Sequence, residues 1–566
     1  AAAKADVPAA QRIELDSIEA VLEAIQKASP VRVLAIDAGT TVQFAFSTNV
    51  YYEIVQGADL FCTPIDEKQL YTAFQPILED SKCEVLAFDT KRLRHLLDKF
   101  GISLKARVFD AMIADYLLDA TRPATSFAML CERFCANQKP NAALLFSLKE
   151  TMLSDLSEAN MTKLYTDMEL PLAGVLYEME REGFRVDRDI LSQLQAQFND
   201  QSESLAKQIY ESTGETFNIL SPKQLGEVLF EKLGLPTGKK NKSGFSTDAD
   251  TLESLTDRHP AIPMILEYRF ITKLKSTFVD GLLNLVSAEN DRIRTQFNQC
   301  VTATGRISST EPNMQNIPVR TQQGREIRKA FIASEGNVLV DADYSQIELR
   351  LLAHISGDEG MIAAFNSGKD IHRTTASEVF RVPFAEVTSE QRSAAKAVNF
   401  GIVYGISDFG LARNLDIPVK RASEYIKLYF DRYPGVKSYL EKSVEDAKRT
   451  GYAVTMFERR RSMLELKSSN YNTRSFGERV AMNMPIQGTA ADIIKLAMVK
   501  VSQILKERGL KTKLILQVHD ELIFDVPKAE ADEVVLLVHE CMEQVAHLSV
   551  PLDADVKVGH SWYETK

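Results

Sequence analysis

Residues 343–350 read Asp-Tyr-Ser-Gln-Ile-Glu-Leu-Arg, and residues 518–521 read Val-His-Asp-Glu. The first stretch closes an apolar run, Asn337-Val-Leu-Val-Asp-Ala-Asp343, and Ser345 to Ile355 beyond it has helical spacing. The second joins two apolar runs, Leu514 to Val518 and Leu522 to Val526, and reads as a hairpin with an acidic tip. Each has a bland reading: Ser345-x-x-Glu348 fits a helix capping box, and Val518 to Glu521 fits a polar turn. Together they place Asp343 and Asp520 at strand ends that can share one sheet. Converging carboxylates with little counter-charge are costly unless a cation fills the gap, and hard oxygen donors suit Mg²⁺. Two such ions about 3.5–4 Å apart would clamp the attacking and leaving oxygens of an in-line phosphoryl transfer.

A third stretch runs Arg392-Ser-Ala-Ala-Lys396-Ala-Val-Asn-Phe400-Gly-Ile-Val-Tyr404-Gly405. Arg392, Lys396, Phe400 and Tyr404 recur every four residues and form one stripe on a helix. A core stripe would be aliphatic, whereas this one changes from cations to aromatics. The cations suit a triphosphate, the aromatics a base or sugar, and Gly405 a helix stop.

The chain has 566 residues, enough for three or four domains, and its 45% hydrophobic and 26% charged residues exclude a disordered or fibrous chain. Cys62, Cys83, Cys131, Cys135, Cys300 and Cys541 are too scattered for a disulfide framework, and the Cys131–Cys135 pair lacks the partners of a zinc site. Reduced thiols are expected. No apolar stretch approaches the roughly 20 residues of a membrane span, and no membrane partner is expected. Ala1 to Arg12 reads as a linker or a truncation scar. A net charge of −11 argues only weakly against a polyanionic partner, because binding follows the local field. Basic residues gather at Arg320, Arg325, Arg328 and Lys329, at Arg459-Arg460-Arg461, and at Arg474 and Arg479. Each cluster alone reads as a solvated face. Val31 to Asp37 and Glu84 to Asp89 read as buried strands, and Lys91 to Phe100 as a helix, which makes an α/β domain. Ser154 to Ala288 reads as a helical arm without a compact core, broken at Gly214 and at the loop of residues 239–244.

The three stretches, in this order, resemble motifs A, B and C of the family A DNA polymerases, the bacterial DNA polymerase I type. Thr304-Gly-Arg306-Ile-Ser-Ser309, Pro312-Asn-Met-Gln-Asn-Ile-Pro318 and Ser221-Pro-Lys-Gln-Leu-Gly226 support the likeness, as do Met484-Pro-Ile-Gln487-Gly-Thr-Ala-Ala491 and Trp562-Tyr563. It runs continuously from about Glu169 to Lys566, and joint matches in fixed order are far more specific than any single motif.

The resemblance implies a multidomain α/β and α+β chain: a degenerate RNase H-like 3′→5′ exonuclease domain, then a right-hand polymerase. The divisions are a linker over residues 1–10, the exonuclease-like domain over 11–165 and the polymerase over 166–566. Within the last, the thumb spans about 190–288, the palm about 289–355 and 465–566, and the fingers about 356–464. The implied activity is template-directed addition of dNTPs to a primer 3′-hydroxyl, using two Mg²⁺ ions with Mn²⁺ able to substitute. Asp343, Asp520 and the backbone of Tyr344 would hold metal, assisted by Glu521. Arg392, Lys396 and His372 would contact the nucleotide's phosphates, and Gln346, Glu348, Phe400 and Tyr404 would line the nucleotide pocket. Arg306, Arg320, Arg479, Asn483, Gln487 and His519 resemble contacts to primer–template DNA. The implied setting is a monomer in the bacterial cytoplasm, at the nucleoid.

The first domain departs from its family. Where the family has Asp-x-Glu, this sequence reads Asp37-Ala-Gly39, with Asp89 a further aspartate, and the final Tyr-x-x-x-Asp element is missing. Proofreading is therefore expected to be lost. The usual 5′-nuclease has no counterpart, which suggests a large fragment. Two alternatives compete: a single-subunit RNA polymerase, disfavoured because Glu348 would crowd a 2′-hydroxyl, and a DNA-binding scaffold with a decayed site, disfavoured by intact Asp343, Lys396 and Asp520.

Overall fold

A computed structural model describes residues 9–55, 65–135, 138–236, 240–241, 244–319 and 321–566. Cys62 and Arg320 lie outside the described residues. The five described cysteines are free and buried. No helix among the described residues is long and apolar enough to cross a membrane.

The N-terminal part is a six-stranded mixed sheet. Its spatial order is Gln11–Leu15, Val50–Ile54, Val42–Ala45, Val33–Ala38, Glu84–Ala87, Arg107–Asp110. Gln11 and Arg12, read with the linker, are the first two residues of the edge strand, paired in register with Val50 and Tyr51. The two-residue period of a strand explains the layers. Leu34 and Ile36 enter one apolar cluster with Phe74, Leu78 and Leu93, while Ala35 between them enters another with Phe109, Tyr116 and Leu145. That second cluster also takes in Tyr165, Met168, Ala173 and Cys300, so the N-terminal layer and the following part share one core.

The palm is a four-stranded antiparallel sheet ordered Lys513–Val518, Glu521–Pro527, Asn337–Tyr344, Ala554–Gly559. Its central strand carries Asp343, which pairs with Glu521 on one side and Asp555 on the other. Helix Ala531–Gln544 packs on it, and helix Tyr471–Glu507, 37 residues long, packs against that helix.

Helix Ser389–Val403 carries the expected stripe and starts at a capping box, with Thr388 and Gln391 exchanging side-chain and backbone hydrogen bonds. The capping box that the bland reading of Ser345-x-x-Glu348 offered does not form. Helix Ile347–Ser356 begins after Gln346, whose φ of 54° puts it in the left-handed region, and no side chain caps it. Glu348 is thereby released for other partners.

The arm is built on helices Arg188–Thr213 and Ala261–Leu274, which pack together. Gly214 ends the first in a left-handed cap. The arm is not coreless: Ile209, Leu225, Leu229, Leu252, Ile262 and Ile265 form a separate buried cluster at its tip. Short apolar runs split between helices hid that cluster from periodicity.

Candidate active site

Backbone pairing creates the acidic centre. Val518 pairs with Glu521, which leaves His519 and Asp520 as a two-residue turn with His519 at a φ of 52°. The Tyr344 N–H donates to the Asp520 carbonyl at 3.2 Å, which fastens the turn to the end of the central strand beside Asp343. The Asp520 carboxyl is pushed up to about 7, first by burial and then by the negative charges of Glu348 and Asp343, with Arg306 opposing. Asp343 is also raised by burial, while Lys566 pulls it back. Negative charge here exceeds what nearby cations neutralise.

Lys566 is a residue sequence reasoning missed. Its ammonium lies 2.8 Å from Glu521 Oε2, 3.5 Å from Asp343 Oδ2 and 3.7 Å from Asp341 Oδ2. Asp341 sits two residues before Asp343 and so shares its face; the Asp-Ala-Asp spacing was the available signal. The other oxygen of Glu521 accepts from the Trp562 indole at 2.8 Å, and the Arg328 guanidinium stacks 3.8 Å over that ring. Glu521 is thus tied on both sides, and Arg328 is buried instead of lying on a solvated face.

Glu348 joins the parts of the site. Its Oε1 accepts from Arg306 Nη2 at 2.7 Å and its Oε2 from the Tyr404 hydroxyl at 2.7 Å. Burial and Glu348 push the pKa of that hydroxyl up to about 12. Tyr404 caps the stripe helix. Phe400 lies half-buried one turn earlier, Lys396 is exposed, and Arg392 donates to Asp370 at 2.8 Å. Phe400, Tyr404, Gly405, Asn414 and Arg479 border a concavity of about 480 Å³. His372 is buried, with Nδ1 3.0 Å from the Asn399 amide, and burial pushes its pKa down to about 4, so it is neutral at pH 7. Arg479, Asn483 and Gln487 recur every four residues and form one face of helix Tyr471–Glu507.

Arg459 is the clear correction to the charge reading. It is 1% exposed, bound to Asp492 at 2.8 Å and to Glu169, which in turn binds Lys495 at 2.7 Å. Its neighbour Gly305, at a φ of 89°, has no room for a side chain, because a Cβ would lie 2.6 Å from Arg459 Nε. The basic triplet is therefore split between the interior and the surface.

No group of three or more His, Cys, Asp or Glu side chains poised to hold a metal ion occurs among the described residues. The donors present are two carboxylates, Asp343 and Asp520, and the Tyr344 carbonyl. They are hard oxygens with unneutralised charge, and they fit a divalent ion that completes its shell from substrate and water.

A palm sheet with paired carboxylates, flanked by helical fingers and a helical thumb, has the right-hand architecture of nucleic acid polymerases. The sequence profile of DNA polymerase family A matches residues 188–564, and that of the DNA polymerase I ribonuclease H-like domain matches residues 43–139. The chain belongs to DNA polymerase family A. It is 48% identical over 501 residues to DNA polymerase I of Caldicellulosiruptor bescii, covering 87% of this chain and 59% of that one. It is 46% identical over 516 residues to DNA polymerase I of Geobacillus stearothermophilus, covering 86% and 59%. The chain thus spans about 59% of the length of these curated relatives. Among solved structures, the POL domain of Pol1 from M. smegmatis, in complex with DNA primer-template and dNTP, superposes with a TM-score of 0.89 at 38% identity, covering 98% of this chain and 100% of that one.

Proposed function

We propose that this chain carries out template-directed DNA synthesis, adding dNTPs to a primer 3′-hydroxyl with release of pyrophosphate. The observation that carries the reading is Glu348, which ties Arg306 and the nucleotide-side Tyr404 together while its charge acts on Asp520. Asp343, Asp520 and the Tyr344 carbonyl would hold the metals. Bound there, two Mg²⁺ ions, or Mn²⁺, supply Lewis acidity at the 3′-hydroxyl and charge neutralisation at the pyrophosphate.

The chain's own residues do the positioning. Arg392 and Lys396, one turn apart, grip the triphosphate, and neutral His372 behind Phe400 offers a ring nitrogen without adding charge. Phe400 and Tyr404 stack against sugar and base, and Gln346 and Glu348 close the sugar side. Arg306, Arg479, Asn483, Gln487 and His519 contact primer–template near the reacting end, with Glu521 bracing the acidic strand. Template base pairing supplies sequence, so the protein needs backbone contacts along a cleft and tolerates a negative total charge. We further propose that palm, fingers and thumb divide at the ranges expected from sequence, and that the chain acts as a cytoplasmic monomer at the nucleoid.

We also propose that the N-terminal domain has lost proofreading. A Cβ at Gly39 would stand 3.5 Å from Asp37 Oδ1, so a glutamate there would have joined Asp37; glycine leaves it alone. Asp89 and Asp110 cap helices, accepting from Arg92 N at 2.9 Å and Ile113 N at 2.9 Å.

Primer extension in Mg²⁺ with dNTPs or rNTPs tests the main reading. The chain should extend with dNTPs and hardly at all with rNTPs. Asp343→Ala and Asp520→Ala should lose incorporation while retaining primer–template binding. A parent chain inactive with dNTPs, or either variant active at the parental single-turnover rate, would overturn the reading.

A further inference from the structure

Arg306 stands at the end of a turn that the N-terminal domain holds from behind. The segment before it, Gln299 to Thr302, is gripped at three of its four residues, the first by the polymerase region's own Glu169 and the other two by the N-terminal domain. The Gln299 amide donates to the Glu169 carbonyl at 2.7 Å, and the Cys300 side chain lies in the N-terminal domain's core. The Tyr116 hydroxyl donates to the Thr302 carbonyl at 2.8 Å. The Thr302 hydroxyl donates in turn to the Arg306 carbonyl at 2.6 Å, closing the turn over Gly305. Arg306 then reaches Glu348, and Glu348 reaches Tyr404. A chain of five residues thus runs from Tyr116, fully buried on helix Ala111–Leu118, to Tyr404 at the nucleotide pocket.

We infer that Tyr116 is a positioning residue for nucleotide insertion, through which the N-terminal domain takes part in polymerisation without chemistry of its own. The physical reason is economy of alternatives. Without the Tyr116 hydroxyl, the Thr302 carbonyl keeps only the 3.4 Å bond from the Gly305 N–H inside its own turn. With that carbonyl held only weakly, the turn samples more conformations even though the Thr302 hydroxyl still bonds the Arg306 carbonyl, and Arg306 is then less often aligned on Glu348. The Tyr116 ring itself is packed in the core, so Tyr116→Phe removes the hydroxyl and leaves the packing.

The inference rests on the DNA-synthesis reading, and the experiment separates the two. Single-nucleotide insertion is measured on the full chain for Tyr116→Phe, Arg306→Ala and the double variant. Tyr116→Phe should lower kcat about 3- to 10-fold, the worth of one well-made hydrogen bond, with KM for the dNTP unchanged. In the Arg306→Ala background the same substitution should cost nothing further, because its effect travels through Arg306. Thr302→Val, which cuts the chain on the polymerase side, should show the same non-additivity. A parental rate in Tyr116→Phe, or an equal loss with and without Arg306, would overturn the inference. An inactive parent chain would instead refute the function proposed above.

Discussion

Replacing Arg459 by methionine tests the buried charge cluster beneath the turn that carries Arg306. The cluster holds two cations, Arg459 and Lys495, and two anions, Glu169 and Asp492, each at most 1% exposed. It is neutral as built. Burial alone would raise Glu169, yet Lys495 and Arg459 hold it down to about 2. Removing Arg459 leaves a net buried charge of −1 and strips Asp492 of its nearest cation. Breaking a buried pair from one side costs about 3–5 kcal/mol, against about 0–1 for an exposed pair. The fluorescence of Trp562, the chain's single tryptophan, packed under Arg328 in the palm, reports unfolding by urea. Arg459→Met should lose about 3–5 kcal/mol near neutral pH. The loss should shrink in acid, since Asp492, already raised by burial, then takes a proton and restores neutrality. Adding Asp492→Asn should recover much of the stability, because Lys495 and Glu169 remain as a matched pair. A single variant within about 1 kcal/mol of the parent, or a double variant weaker than the single, would refute the charge argument.

Three further outcomes follow from the site. Shortening Glu348 to alanine frees the space at the sugar edge and should raise the rNTP-to-dNTP ratio of kcat/KM, while Phe400→Tyr should relax discrimination against dideoxynucleotides; unchanged ratios would remove these residues from the gate. Without divalent metal, the raised Asp520 pKa means the folded chain holds a proton that the unfolded chain releases, so its contribution to stability falls as pH rises from about 4 to about 7. Asp520→Asn in EDTA should therefore raise Tm at pH 8 and hardly change it at pH 4, and a Tm gain independent of pH would contradict the assignment. Labelled single-stranded DNA, incubated with Mg²⁺ and no dNTPs, should stay full length; loss of 3′ nucleotides that is abolished by Asp37→Ala would restore a nuclease to the N-terminal domain.

What could be read in the sequence was periodic or adjacent. The strands ending in Asp343 and Val518 are continuous apolar runs, and the Arg392 to Tyr404 stripe keeps one residue per turn, so short-range geometry gave both. The partners of Glu348 were another matter. Arg306 and Tyr404 lie 42 and 56 residues away, and no local pattern ties a carboxylate to either. Ser345-x-x-Glu348 even offered a false local partner, which the left-handed Gln346 cancels. Arg459 failed for a related reason. Three consecutive arginines look alike in sequence, and only the distant Glu169 and Asp492 decide which one turns inward. Lys566 gave no signal of its own, because its meaning depends on three acids gathered from two strands.

The mixed core around Cys300 has a consequence for how this chain can vary over generations. Leu130, Cys131 and Leu145 pack in the same buried cluster as Cys300 and Met168, residues of the polymerase region's own framework. A change at any of these positions is therefore felt by the polymerase region's framework as well as by the N-terminal domain. Inheritance can erase a nuclease at its few carboxylates while holding the surrounding apolar residues in place. Deletion is closed off for the same reason: it would bare the apolar backs of Met168, Ala173 and Cys300 to water. The domain persists as a foundation does under a rebuilt house, constrained by the weight above it.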